Sequence, residues 1–114
     1  MSLFGVTFAK AYDYQFPKIK GCESFPVIVQ LHKIDEELEE LRAEVVDEND
    51  VMILVEAIDL IVSVETLLRA YPKDVVDAAA NVVFCKNKMR GYWDLPDEEY
   101  CQDAPQGEGE DERP

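Results

Sequence analysis

The chain holds one histidine, three cysteines and five glycines in 114 residues, and each shortage closes off a class of chemistry. A lone His32 cannot supply the Glu-x-x-His pairs that a di-iron carboxylate bundle places on two helices. Cys22, Cys85 and Cys101 form neither a Cys-x-x-Cys unit nor a zinc spacing. They read as small thiols of a reducing, cytoplasmic compartment. The glycines build no phosphate-cradling loop, and Ser24 and Ser63 have no triad partners nearby. The longest apolar run, residues 51–55, is five residues and far too short to span a bilayer. The first residues lack the basic stretch and apolar run of a secretory signal. No segment alternates apolar and polar residues as a half-buried strand does. Positive charge is scarce as well: 11 Lys and Arg face 25 Asp and Glu, for a net charge of −14. Such a surface repels a nucleic-acid backbone.

What is abundant is acid, unevenly placed. From Asp97 onward there are eight acids against Arg113, and residues 35–50 carry nine against Arg42. Residues 97–114 are acidic and poor in large apolar groups, a composition expected to stay disordered. Negative charge of this kind suits divalent cations, which can in turn carry a phosphate substrate.

Helical signals dominate the rest. Phe4, Phe8, Tyr12 and Phe16 recur every fourth residue, predicting a short N-terminal helix that ends before Pro17. Ser24 is a candidate N-cap for a helix over 25–46, with Pro26 in its first turn. Leu31, Ile34, Leu38, Leu41 and Val45 space themselves as a bundle seam. Residues 47–50 (DEND) interrupt the pattern and offer Asn49 or Asp50 as the next cap. A second helix then runs to about Tyr71, where Pro72 stops it. Asp74 is a candidate cap for a third helix over 75–90, closed by Gly91. The expected fold class is all-α: a compact helical bundle of three long helices plus the short N-terminal one, with an oligomeric core. Its parts are an N-terminal segment (1–24), the bundle (25–96) and the acidic tail (97–114).

The second helix, VMILVEAIDLIVSVETLL, is apolar nearly all round, which normally means burial. Glu56 and Asp59 interrupt it one turn apart, so both carboxylates fall on one face. Ionised carboxylates do not enter an apolar setting without a positive partner. Arg42, Lys86 or Arg90 could supply one. A metal ion is the other possibility, because residues 36–40 (EELEE) precede the pair on a helix expected to pack antiparallel, so that each helix brings an acid pair at i, i+3. Four converging carboxylates repel and raise one another's pKa. Mg²⁺ or Mn²⁺ resolves that conflict through its preference for oxygen ligands. Taken alone, residues 36–40 read as a solvated acidic face, and Lys86, Lys88 and Arg90 as a basic helix end favoured by the macrodipole.

The order EExxE, fifteen residues, ExxD on consecutive helices resembles the MazG-like all-α nucleotide pyrophosphohydrolase superfamily. That group includes dimeric dUTPases and phosphoribosyl-ATP pyrophosphohydrolases. Residues 86–91 (KNKMRG) are similar to the Lys/Asn/Arg cluster that ends the family's last bundle helix. The resemblance spans about residues 31–93. It implies Mg²⁺ (or Mn²⁺) held by Glu37, Glu40, Glu56 and Asp59, with Glu36 supporting the site or orienting water. It further implies that Lys86, Asn87 and Arg90 contact the phosphates or sugar of a nucleoside triphosphate. The implied reaction cleaves between the α and β phosphates, releasing a monophosphate and pyrophosphate, in a homodimer or homotetramer. Two rivals stay open: a non-catalytic acidic module that binds or inhibits a basic partner, and an oligomerising structural bundle.

Overall fold

The computed structural model describes residues 2–3, 6–7 and 11–94. Three helices carry the fold among them: α1 (Val27–Asp47), α2 (Asp50–Leu68) and α3 (Lys73–Met89). The all-α class and the three long helices are as expected. The acidic tail, and Phe4 and Phe8 of the aromatic stripe, lie outside the described residues. The chain divides into two compact units: Tyr14–Tyr71, and the segments that flank it in sequence.

The unit Tyr14–Tyr71 is a helical hairpin with an extended arm. Ser24 does not cap α1. It belongs to a 3₁₀ turn, Cys22–Ser24, where its hydroxyl donates to the Gly21 carbonyl at 3.0 Å, and Pro26 takes the N-cap position. Gly21, at φ 77, supplies the left-handed backbone that precedes this turn. At the other end of α1, Glu48 adopts φ 58, and its amide donates to the carbonyls of Glu44 and Val45. Asn49 caps α2 as the sequence suggests, its side-chain oxygen accepting from the Met52 amide at 3.2 Å. Only Glu48 and Asn49 separate the two helices, so α2 folds back antiparallel along α1.

The buried row of α1 is shifted from the expected seam. Gln30, Ile34, Glu37, Leu41 and Glu44 are the least exposed α1 positions. Leu31, Leu38 and Val45 stay exposed on the flank. Gln30 is matched there rather than excluded: its side-chain amide donates to the Ser63 carbonyl at 2.9 Å, tying α1 to α2 in a buried bond. Helix α2 is correspondingly covered on one side only. Val51, Leu54, Val55, Ile58 and Ile61 form a stripe that is 43–69% exposed, so the expectation of all-round burial fails within a single chain.

The N-terminal helix expected from the aromatic stripe is also absent where the chain is described. Residues 11–16, including Tyr12 and Phe16, are non-helical. The reason lies in where the backbone donors go. The amides of Gln15 and Phe16 donate to the two oxygens of Glu65, at 2.9 and 3.1 Å, and Glu65 is only 1% exposed. Arg69 adds a bond to the Phe16 carbonyl at 2.9 Å and sits 3.9 Å over the Tyr14 ring. Two side chains of α2 thus hold the arm through its main chain.

The other unit is built on α3. Asp74 does not cap it. The helix begins at Lys73 behind Pro72, without a side-chain cap. Gly91, at φ 73, ends it as expected, its amide donating to the Lys88 carbonyl at 3.0 Å. Val76, Ala78, Asn81 and Cys85 are its buried positions. A two-residue antiparallel pair, β1 (Ser2–Leu3) with β2 (Val6–Thr7), packs beside it, extended structure that the sequence pattern had not suggested. The Tyr12 amide donates to Asp77 at 2.8 Å, and Lys73 pairs with the same carboxylate oxygen at 2.6 Å. Trp93 stacks on Phe84 at 5.7 Å and donates its indole N–H to the Phe84 carbonyl.

Two further expectations meet the structure here. Cys22 is a free, buried thiol, and Cys85 is buried as well. The thiol reading holds at Cys22. No helix among the described residues is long and apolar enough to cross a membrane.

Candidate metal centre

Antiparallel pairing of α1 with α2 brings the two acid motifs level on one side of the hairpin. Glu37, Glu56 and Asp59 each present a carboxylate oxygen within 4.8 Å of the others. Glu40 is exposed one turn further along α1. Its charge acts on the Glu56 carboxyl. Of the four residues singled out as metal ligands, Glu37, Glu56 and Asp59 thus converge, with the charge of Glu40 acting on Glu56 from beside them. Glu36 does not. It is exposed on the solvent side of α1 and 3.9 Å from Lys33.

Burial grades the cluster. Glu37 is the innermost member, its side chain 9% exposed, Glu56 is half-buried and Asp59 is exposed. One carboxylate oxygen of Glu37 (Oε1) and one of Glu56 (Oε1) are shut away from solvent without a hydrogen-bond partner. Orphaned carboxylate oxygens are unusual in a folded chain, where buried polar atoms are nearly always satisfied. Glu56 responds as physics requires. Desolvation first, then the neighbouring Glu40, and after it Asp59 and Glu37, push its carboxyl above the usual carboxylate range.

These residues fit a hard divalent cation. The donor set is carboxylate oxygen throughout, graded from buried to exposed, and leaves room on the exposed side for water or a phosphate. A cation would satisfy the orphaned oxygens and reverse the repulsion in one step.

Sequence reasoning passed over one participant. Lys33, four residues before Glu37, places its ammonium 3.1 Å from Glu37 Oε2. The acids around it, Glu37 foremost, raise its affinity for its proton. The i, i+4 spacing carried that signal, but attention to the acids obscured it.

Lys86, Asn87 and Arg90 lie together at the C-terminal end of α3, in the other compact unit. All three are half-buried. The Arg90 guanidinium is 5.9 Å from the centre of the exposed Tyr92 ring, and the Tyr92 amide donates to the Asn87 carbonyl at 2.9 Å. That end of the helix thus offers cationic, amide and aromatic groups side by side.

Compared with known proteins, the chain matches no family model, no curated protein and no solved structure.

Proposed function

We propose that the chain is a Mg²⁺-dependent nucleoside triphosphate pyrophosphohydrolase that converts an NTP or dNTP to the monophosphate and pyrophosphate. The observation that carries this reading is the convergence of Glu37, Glu56 and Asp59 beside the charge of Glu40, with buried oxygens of Glu37 and Glu56 left without partners. An acidic surface used only for charge would have no reason to bury and orphan two carboxylates. The resemblance of the EExxE and ExxD spacing to MazG-like enzymes supports the same chemistry from the sequence side.

In this reading Glu37, Glu40, Glu56 and Asp59 hold Mg²⁺, with Mn²⁺ as a substitute. A bound divalent ion supplies Lewis acidity toward the phosphate chain. Glu36, on the solvent side of α1 next to Glu37, supports the site from there or orients water. Lys86, Asn87 and Arg90 take the phosphates or sugar, offsetting the charge that spreads over the phosphoryl oxygens.

The exposed apolar stripe of α2 favours a homo-oligomer, dimer or tetramer, in which a second copy covers Val51, Leu54, Val55, Ile58 and Ile61. Contiguous apolar patches of this kind are rare on monomers. The same stripe is the feature that a purely structural, oligomerising bundle would display. Glu56→Gln separates the two. The enzyme reading requires loss of Mg²⁺-dependent turnover with the oligomer kept, whereas a structural role predicts an altered oligomer with or without metal. Pyrophosphate release from a panel of NTPs and dNTPs, with Mg²⁺ or Mn²⁺, tests the activity itself. A wild-type protein inert towards the whole panel ends the enzyme reading. A cytoplasmic location belongs to this proposal too. Differential alkylation of the protein taken from its native compartment decides that point.

A further inference from the structure

We propose that Lys33 is a built-in counter-cation of the acidic centre, which sets the affinity for a divalent ion by competing with it for Glu37. The proposal rests on the metal reading above and adds a control to that site.

Glu37 is divided between two tasks. Its Oε2 lies 3.1 Å from the Lys33 ammonium, while its Oε1 is buried and unpartnered on the same nine-tenths-buried side chain. That carboxylate also contributes an oxygen to the cluster with Glu56 and Asp59. Lys33 itself is half-exposed and reaches Glu36 as well at 3.9 Å. The other cation on the hairpin helices, Arg42, is engaged by Glu39 at 3.5 Å. Among the described residues of the two hairpin helices, Lys33 is therefore the cation that pairs with the centre.

Two physical consequences follow. Without a divalent ion, the ammonium offsets part of the repulsion among Glu37, Glu40, Glu56 and Asp59. With one, a monovalent cation remains about a carboxylate's width from a doubly charged one, and the two repel. The ammonium is solvated and therefore screened, so the repulsion is modest, enough to weaken ion binding roughly three- to tenfold. A built-in cation of this strength holds the hairpin together between ligand encounters and keeps the ion exchangeable.

Lys33→Met, with Lys33→Arg as the charge-preserving control, tests this in the full-length protein. Mn²⁺ binding is read by the electron paramagnetic resonance of the free ion, and melting is followed with chelator and with saturating Mn²⁺. Lys33→Met is expected to bind Mn²⁺ roughly three- to tenfold more tightly than wild type, to melt lower in chelator, and to lose that deficit when Mn²⁺ is saturating. Lys33→Arg is expected to follow wild type in all three. Unchanged or weaker Mn²⁺ binding in Lys33→Met, while wild type binds, overturns the role of Lys33 and leaves the metal centre standing. No Mn²⁺ binding by wild type overturns the metal centre and this proposal together. Because Lys33 is on the surface, the substitution does not endanger folding.

Discussion

Removing Glu65 would test whether the N-terminal arm is held by a buried carboxylate rather than by its own aromatic side chains. Glu65 is 1% exposed and accepts from the amides of Gln15 and Phe16 at 2.9 and 3.1 Å. Glu65→Ala strands both donors in a partly buried setting. Each donor deprived of its acceptor is worth about 1–3 kcal/mol, and bonds to a charged acceptor lie towards the upper part of that range. Partial access to water recovers some of the loss, which leaves about 2–4 kcal/mol for the pair. For a domain near 100 residues, such a loss lowers the melting temperature by about 10 °C or more. Thermal melts by circular dichroism, with proteolysis of the arm as a second readout, give the answer. A shift below about 2 °C would refute the reasoning, because it would mean that the amides of the arm find water or other partners at no cost. Arg69→Ala removes the bond to the Phe16 carbonyl and the contact with the Tyr14 ring, and is expected to give a smaller shift of the same sign.

Three further outcomes follow from other parts of the molecule. Glu56 binds its proton more tightly in the folded chain than in the unfolded one. Its contribution to stability is therefore complete below the ordinary glutamate range and is lost as pH rises through its raised value. Metal-free Glu56→Gln should accordingly be more stable than wild type at neutral pH, with the difference vanishing in acid, and wild-type Mn²⁺ binding should weaken as pH falls through the same range. Equal melts of the two proteins at neutral pH in chelator would contradict this. Glu48, held at φ 58, is a non-glycine residue in left-handed backbone, so Glu48→Gly should raise stability by up to about 1 kcal/mol in denaturant titrations. Leu54→Glu combined with Ile58→Glu places charge in the exposed stripe of α2 and should weaken self-association by roughly 100-fold in sedimentation equilibrium, leaving a folded monomer.

Much of the hairpin could be read from the sequence because its signals are local. The spacing of apolar residues, the Asn49 cap and, in α3, the stop at Gly91 are properties of short windows, whereas α2 ends at Leu68, short of the expected stop at Pro72. The register of Glu37 and Glu40 against Glu56 and Asp59 follows from two helices joined by two residues. The failures are non-local. The aromatic repeat up to Phe16 reads as helix until Glu65 takes the amides of Gln15 and Phe16, and that carboxylate lies some fifty residues away in the chain. Ser24 and Asp74 have the right chemistry for caps, but Pro26 and Pro72 take the cap positions two residues away. The α1 seam shifts because Gln30 and Glu37 are buried by a hydrogen bond and an ion pair, which no apolar pattern records. The stripe on α2 is apolar for burial, but the chain alone does not bury it.

The most direct test of the central claim is the phosphorus NMR spectrum of a nucleoside triphosphate incubated with the wild-type protein and Mg²⁺. The account predicts a monophosphate and pyrophosphate as the first products, absent with chelator and absent with Glu56→Gln or Asp59→Asn. A spectrum that shows unchanged triphosphate, or a diphosphate with free phosphate, would contradict it.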